Sequence, residues 1–231
     1  MILGIETATA VCSVALVKGG KLLGCLSLDE GLVHSDKLIP LIDQLLTENR
    51  TSVREMEGIA VSIGPGSFTG IRVGVMTAKA MSQGLRIPVI GVPTLDGLVY
   101  HAEADRFVSP MLDALREEVY TALYEKGDRI RNYKVVSVRH WLEELHALNH
   151  EVAFLGEGAD MHKDFIMKIM GSKARIKEGV KTSASSIALI GWEKLHKGEG
   201  RGHHTLLPLY VRRAWAEVKR EAQSGGTGSQ D

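Results

Sequence analysis

Several residue groups in this chain have the chemistry of catalysis or ligand binding. His34-Ser35-Asp36 sets a base, a hydroxyl and an acid side by side. Gly64-Pro65-Gly66-Ser67 precedes a helix-like run. Glu6 and Asp113 each end a strand-like apolar segment, and His101 and His203-His204 offer imidazoles. A hydroxyl nucleophile, its base and the orienting acid come from separate segments, because sequential neighbours do not line up. His34-Ser35-Asp36 therefore reads as a loop histidine followed by a helix cap. Gly64-Pro65-Gly66-Ser67 resembles an anion cradle, since helix N-termini present free N–H groups. It lacks the Lys-Ser/Thr ending of a phosphate loop, so it reads as punctuation between a strand and a helix capped by Ser67. His203 and His204 are adjacent and point apart, which makes a poor metal pair.

These groups need elements to hold them. Residues 59–63 have the length and β-branched content of a buried strand. Residues 67–85 then predict a helix in which Gly70, Gly74, Ala78 and Ser82 recur every fourth position as one smooth ridge. Glycine inside a helix costs about 1 kcal/mol against alanine, so two on one ridge imply close approach of another backbone. Arg72, Met76, Lys79 and Gln83 form a wetter ridge. Ile71, Val75 and Ala78 make one apolar side, and Val73, Thr77 and Met81 another. Two apolar sides require two packing partners: the chain's own sheet, and a second helix that could belong to another chain.

Composition narrows the classes. The 231 residues make one large domain or two small ones, and 44% apolar content supplies a core. Twenty-eight basic residues balance twenty-eight acidic ones, leaving no large basic field to grip RNA or an anionic membrane unaided. No apolar run of about 20 residues spans a bilayer, and the first residues carry no basic-then-apolar signal, so the cytoplasm is the expected compartment. Cys12 and Cys25 lie in a hairpin over 11–28 turned at Gly19-Gly20. A two-residue loop pairs Val17 with Leu22, Cys12 with Ser27 and Cys25 with Val14, which puts the thiols on one face about 7–8 Å apart, too far for an easy disulfide.

Along the rest of the chain, residues 1–6 read as a strand and 35–49 as a helix with Leu38, Leu41, Ile42, Leu45 and Leu46 on one face. Residues 88–92 are a strand, and 94–103 a helix capped by Thr94. From residue 107 the pattern restarts. A strand at 107–113 precedes a hairpin at 118–138, and a shift of 107 positions puts Glu6 on Asp113, Ala15 on Ala122 and Gly20 on Gly127. Two related halves follow, 1–105 and 106–223, with a disordered tail at 224–231. The second half adds helices at 140–147, 159–170 and 183–197, a strand at 152–155, an extended or strand segment at 206–212 and a short helix at 214–221.

Ile5-Glu6-Thr7-Ala8-Thr9, Cys12-Ser13-Val14-Ala15-Leu16, His34-Ser35-Asp36-Lys37-Leu38-Ile39-Pro40, the run 64–74 and Gly91-Val92-Pro93-Thr94-Leu95 resemble the TsaB family, also called YeaZ. The resemblance implies an α/β fold of the actin, sugar-kinase and Hsp70 type, with two duplicated halves. It implies partnership with the catalytic paralogue TsaD and the ATPase TsaE, which place threonylcarbamoyl on adenosine 37 of ANN-decoding tRNAs. ATP-using relatives carry Asp-x-Gly-x-Thr in the first hairpin. The residues at the acid and glycine places here are Glu6 and Ala8, and Leu115 stands where the second turn wants glycine. The paralogue's metal-binding histidines fall on Thr94 and Leu98, neither of which is an imidazole. The expectation is thus no catalytic residue, no metal and no cofactor of its own; the sequence leaves open a nucleotide shared at the TsaD interface. The alternative is a metallopeptidase-like or ATP-hydrolysing enzyme of the same fold. The expected TsaD interface is Leu38, Leu41, Ile42, Leu45, Gly70, Ile71, Gly74, Val75 and Ala78. The chain alone would pair as a homodimer through the same helices, tRNA would be met only through the complex, and no membrane is involved. A ridge facing outward would let the fold tolerate Gly74→Leu while the partner is lost.

Overall fold

In the computed structural model, residues 1–29, 34–102 and 105–212 are described. The helix expected at 214–221 and the tail at 224–231 lie outside them. The first half is β1 (Ile2–Glu6), β2 (Cys12–Lys18), β3 (Lys21–Leu28), α1 (His34–Glu48), β4 (Gly58–Ser62), α2 (Phe68–Leu85), β5 (Val89–Val92) and α3 (Thr94–Val99). The second is β6 (Phe107–Asp113), β7 (Glu118–Glu125), β8 (Asp128–Ser137), α4 (Val138–His146), β9 (Val152–Leu155), α5 (Glu157–Met161), α6 (Lys163–Met170), β10 (Ala174–Lys177) and α7 (Ala184–His196).

The duplication is complete at the level of the sheets. One runs β3-β2-β1-β4-β5 and the other β8-β7-β6-β9-β10. In each, the first strand pairs antiparallel with the hairpin and parallel with the strand that follows the first helix. Helices α1 and α2 cover one face of the first sheet, with Leu38, Leu41, Ile42, Leu45, Ile71 and Val75 in its core. Helices α4, α5 and α6 cover the outer face of the second. The two remaining helices are exchanged. Leu95, Leu98 and Val99 of α3 pack on the second sheet with Val108, Leu112 and Leu155. Ala184, Ile187 and Ala188 of α7 pack on the first sheet with Ile2, Ala15, Val17 and Ala60. The molecule is therefore layered helix, sheet, helix, sheet, helix, and a cut near residue 105 divides the repeats in sequence but not in space.

Four local expectations are corrected. A bulge between Leu16 and Val17 shifts the hairpin by one residue, so Cys12 faces Leu28 and Cys25 faces Ala15. A one-residue shift turns every side chain to the other face, so the two thiols lie on opposite sides of the sheet, both free. Thr94 is the first residue of α3 rather than its cap, a position Pro93 takes. The helix expected at 159–170 breaks at His162 into α5 and α6, and the short, half-buried strand β10 carried too little apolar alternation to be read. Residues 206–210 pair in no sheet, and the chain bends at 211–212.

The ridge of α2 faces inward. Gly70, Gly74, Ala78 and Ser82 are all buried. A Cβ on Gly70 would overlap Thr7 O, and one on Gly74 would overlap Thr7 Oγ1. The backbone that had to come close belongs to the chain's own turn 7–9, so Gly74→Leu strikes the fold itself. Gly70→Ala is expected to lower the free energy of unfolding by roughly 2 kcal/mol or more. Gly84→Ala, where an added methyl meets nothing, is expected to raise it by about 0.5–1 kcal/mol. Urea unfolding of the two variants checks both signs.

Candidate functional site

The turn 7–9 uses its polar groups on its own chain. The Ala8 N–H donates to Glu6 Oε1 at 2.6 Å. Ala8 O accepts from the Ser67 N–H at 2.7 Å. Thr7 Oγ1 donates to Gly70 O at 2.8 Å, and Thr9 O lies 2.7 Å from His34 Nε2. Ser67 caps α2 as expected, accepting from the Gly70 N–H. His34 is buried in the first turn of α1, while Ser35 is exposed and bonds Asp36; the three do not converge. The second turn repeats the first: Asp113 Oδ1 accepts the Leu115 N–H at 3.0 Å. Leu115, Arg116 and Glu117 all take left-handed backbone, and Arg212 closes the turn by donating to Ala114 O and Glu118.

Between the halves the cleft narrows to a cavity of about 70 Å³, lined among others by Thr9, Asp29, Leu112, Glu157, Lys181 and Thr182. The Thr9 and Thr182 hydroxyls meet at 2.7 Å across it, and Lys181 pairs with Asp29 at 2.5 Å. That space is the size of a few waters. Three carboxylates, Asp29, Glu157 and Asp160, line it with one lysine, Lys181. Burial pushes the Glu6 carboxyl up to about 7, opposed by the Ala8 N–H and reinforced by the charge of Glu157. Burial raises Glu157 too, with Asp113 adding to the rise.

Thr94 and Leu98 are both fully buried, and Thr94 Oγ1 has no hydrogen-bond partner among the described residues. His203 and His204 meet edge to face, 5.7 Å between ring centroids. The His101 side chain lies outside the described residues. Among those residues no group of three or more His, Cys, Asp or Glu side chains is arranged to hold a metal ion.

The nine residues expected at a partner interface are all inside the chain: Leu38, Leu41, Ile42, Leu45, Gly70, Ile71, Gly74, Val75 and Ala78 are buried against the first sheet and turn 7–9. What the helices show to solvent is different. Met76 is 61% exposed, and Phe68, Leu207, Tyr210 and, on α1, Ile39 are exposed large apolar side chains. Phe68 and Tyr210 lie 4.9 Å apart, ring to ring. Arg72 stacks 3.8 Å over Phe68 and donates from Nε to Tyr210 Oη at 3.1 Å. Lys79 Nζ donates to Leu206 O, and the Leu209 N–H to Ile63 O, so segment 206–210 is strapped along α2. The i, i+4, i+8 series Phe68, Arg72, Met76 was the sequence signal for this surface; the glycine ridge drew attention to the opposite side.

This architecture is that of the actin, sugar-kinase and Hsp70 class, two duplicated α/β halves with helices between and outside the sheets. Solved structures agree on the fold. A Pseudomonas aeruginosa protein described as similar to peptidase YeaZ superposes with TM-score 0.76 at 24% identity, covering 91% of this chain and 99% of that one. The ROK hexokinase of Thermus thermophilus gives 0.54 at 10% identity over 85% and 99%. The family model described as "TsaD: tRNA N6-adenosine threonylcarbamoyltransferase" matches residues 32–220. The tRNA threonylcarbamoyladenosine biosynthesis protein TsaB of Bacillus subtilis is 32% identical over 94% of this chain and 96% of its own length. Its namesake in Escherichia coli is 29% identical over 94% and 97%. The chain belongs to the TsaB family.

The buried Glu6 makes stability depend on pH. Its carboxyl pKa stands at about 7 in the fold, above the ordinary 4.5, so the native state holds the proton more tightly than the unfolded chain. The contribution is fully present below pH 4.5 and is lost as pH rises through 7. Glu6→Gln is expected to flatten that slope. Its gain over the parent grows from near zero below pH 4.5 to roughly 3 kcal/mol above pH 7, measured by unfolding across pH 4–8.

Proposed function

We propose that this chain is a non-catalytic subunit of the machinery that threonylcarbamoylates adenosine 37 of ANN-decoding tRNAs, binding and stabilising TsaD and working with TsaE. The observation that carries the reading is the state of turn 7–9 in a chain of the TsaB family. The Ala8 N–H is taken by Glu6, Ala8 O by Ser67 and Thr9 O by His34. A phosphate-gripping turn presents N–H donors; here the Ala8 N–H is spent on Glu6, and the two carbonyls are acceptors that fix the turn to α1 and α2. The chain then needs no cofactor of its own, and the place left for a nucleotide is the TsaD interface. Its contribution is a surface, and the relatives' names supply the pathway.

The surface proposed for TsaD is the outer face of α2, Phe68, Arg72 and Met76, with Tyr210 and Leu207 from the strap and Ile39 of α1. Clustered apolar side chains that stay in water are a liability unless a partner covers them. In the absence of TsaD the chain covers this face with a second copy, since a two-fold pair uses one patch twice, and the two partnerships exclude each other. Modification of tRNA takes place in the complex. No helix among the described residues is long and apolar enough to cross a membrane, and the cytoplasm, where tRNA is modified, is the proposed site of action.

Met76→Glu is expected to leave the melting temperature unchanged while weakening binding to the same organism's TsaD by more than about tenfold, the scale of a lost interface anchor. Modification of an ANN-decoding tRNA, reconstituted with TsaD and TsaE, should fall with it. Full modification without this chain would sink the subunit role. Normal TsaD binding by the variant would sink only the surface.

A further inference from the structure

A second feature lies at the other end of α2, away from the cleft. There the ends of α2 and α7 and the start of β5 meet the loop that follows α7. The chain holds two arginines at this corner with fixed backbones and free side chains. Arg86 follows α2 in left-handed backbone, φ 57°, its N–H bonded to Ser82 O. Ser82 Oγ donates to Ile87 O at 2.5 Å, and the Ile87 N–H returns to Ser82 O. Glycine is the usual occupant of that conformation after a helix. Arg201 forms an antiparallel bridge with Val89, both hydrogen bonds made, at 2.9 and 3.1 Å. The bridge is pinned by Gly200, where a Cβ would press on Pro88 and Leu195.

Arg86, Arg201 and His203 line one open cavity of about 450 Å³, together with Ser82, Gln83 and Pro88 among others, and no carboxylate lines it. Both arginines are exposed, and neither pairs with a carboxylate among the described residues. An adjoining cavity of about 250 Å³ shares Arg201 and adds Lys194, with Glu199 its one acid. The carbonyl end of α2 accounts for part of this charge, because a helix C-terminus carries about half a negative charge. Arg86 alone covers that. A second guanidinium brought from another segment, with an imidazole beside it, leaves positive charge over. Planar guanidiniums are suited to bidentate hydrogen bonds with phosphate oxygens.

We propose that Arg86, Arg201 and His203 form a phosphate-binding site. The phosphate is either a phosphodiester of an RNA backbone or a small free phosphate, and both present the same oxygens to the same donors. The open shape of the corner leaves a large ligand room to continue past it. The site differs from the α2 outer face proposed for TsaD and needs no part of the cleft.

The test titrates the full chain alone with inorganic phosphate and, separately, with an ANN-decoding tRNA transcript, for the parent and for Arg86→Gly with Arg201→Gln. Glycine relieves the left-handed position, so the melting temperature of the Arg86→Gly single variant should hold or rise, which separates weakened binding from failed folding. The double variant is expected to bind at least one probe about tenfold or more weakly. For tRNA, the slope of affinity against salt should also become shallower by about one for each phosphate that the variant no longer grips. A loss confined to tRNA assigns the phosphodiester, and a loss confined to inorganic phosphate assigns the small ligand. Two results overturn the proposal: a parent that binds neither probe, or variants that bind both as the parent does. In the second case a fall in the melting temperature of Arg201→Gln would leave the arginines as counter-charges to the helix ends. Because the titrations use the chain alone, their outcome is independent of the subunit role proposed above.

Discussion

The fold depends on one close contact, the turn 7–9 lying against α2, with Thr7 O at Gly70 and Thr7 Oγ1 at Gly74. The approach is possible only because two side chains are missing. It fixes the end of β1, the entry to the hairpin and the direction of α2 at once, and hydrogen bonds with Ser67, Gly70 and His34 converge on three consecutive residues. Every polar atom that this turn gives to its own chain is one it cannot offer a ligand. Of the groups so used, the Ala8 N–H is the backbone donor of the kind a phosphate-binding turn presents.

The second turn reaches a similar end by other means. Leu115, Arg116 and Glu117 hold left-handed backbone in succession, a conformation that costs non-glycine residues roughly 1 kcal/mol or more each. Asp113 and the Arg212 side chain keep it in place. Near the two turns sit Glu6 and Glu157, and burial together with neighbouring negative charge raises both carboxyl pKa values. The Thr9–Thr182 and Lys181–Asp29 pairs join the halves there. Tyr124 and Tyr133 both donate to Asp96 Oδ1, at 2.6 and 2.7 Å, and join them again further in.

Much of this was legible in the residues. The strand at 107–113 and the repeat it opens followed from apolar runs and glycine turns, because backbone chemistry writes those directly into sequence. The hairpin register turned on a bulge that leaves Leu23 unpaired opposite Leu16 and Val17; Gly24 beside it, inside the strand, was the available signal and was not used. The α2 ridge was read correctly as a close approach and assigned to the wrong neighbour. Small residues state that something comes near, not what. Six of the nine residues expected at an interface, Leu38, Leu41, Ile42, Leu45, Ile71 and Val75, are large and apolar, and a chain buries those first; Gly70, Gly74 and Ala78 are the close-approach ridge itself. The outer face had to be found by what remained, an aromatic, an arginine and a methionine one turn apart. Helix α3 looked like part of the first half because it follows β5, yet Leu95 and Leu98 found their apolar partners in a sheet whose first strand begins at Phe107.

The exchange of α3 and α7 has a consequence for how the chain is made. The first sheet is complete once Val92 has left the ribosome, but the helix that covers its inner face begins at Ala184. At synthesis rates of about 5–20 residues per second, the interval is on the order of ten seconds. Through that interval Ile2, Ala15, Val17 and Ala60 form a finished surface with no cover, while α3 waits for a sheet that has not been translated. Neither half closes its core by itself, so the nascent chain stays a client of whatever shields apolar surface until α7 arrives, and the two halves become native together.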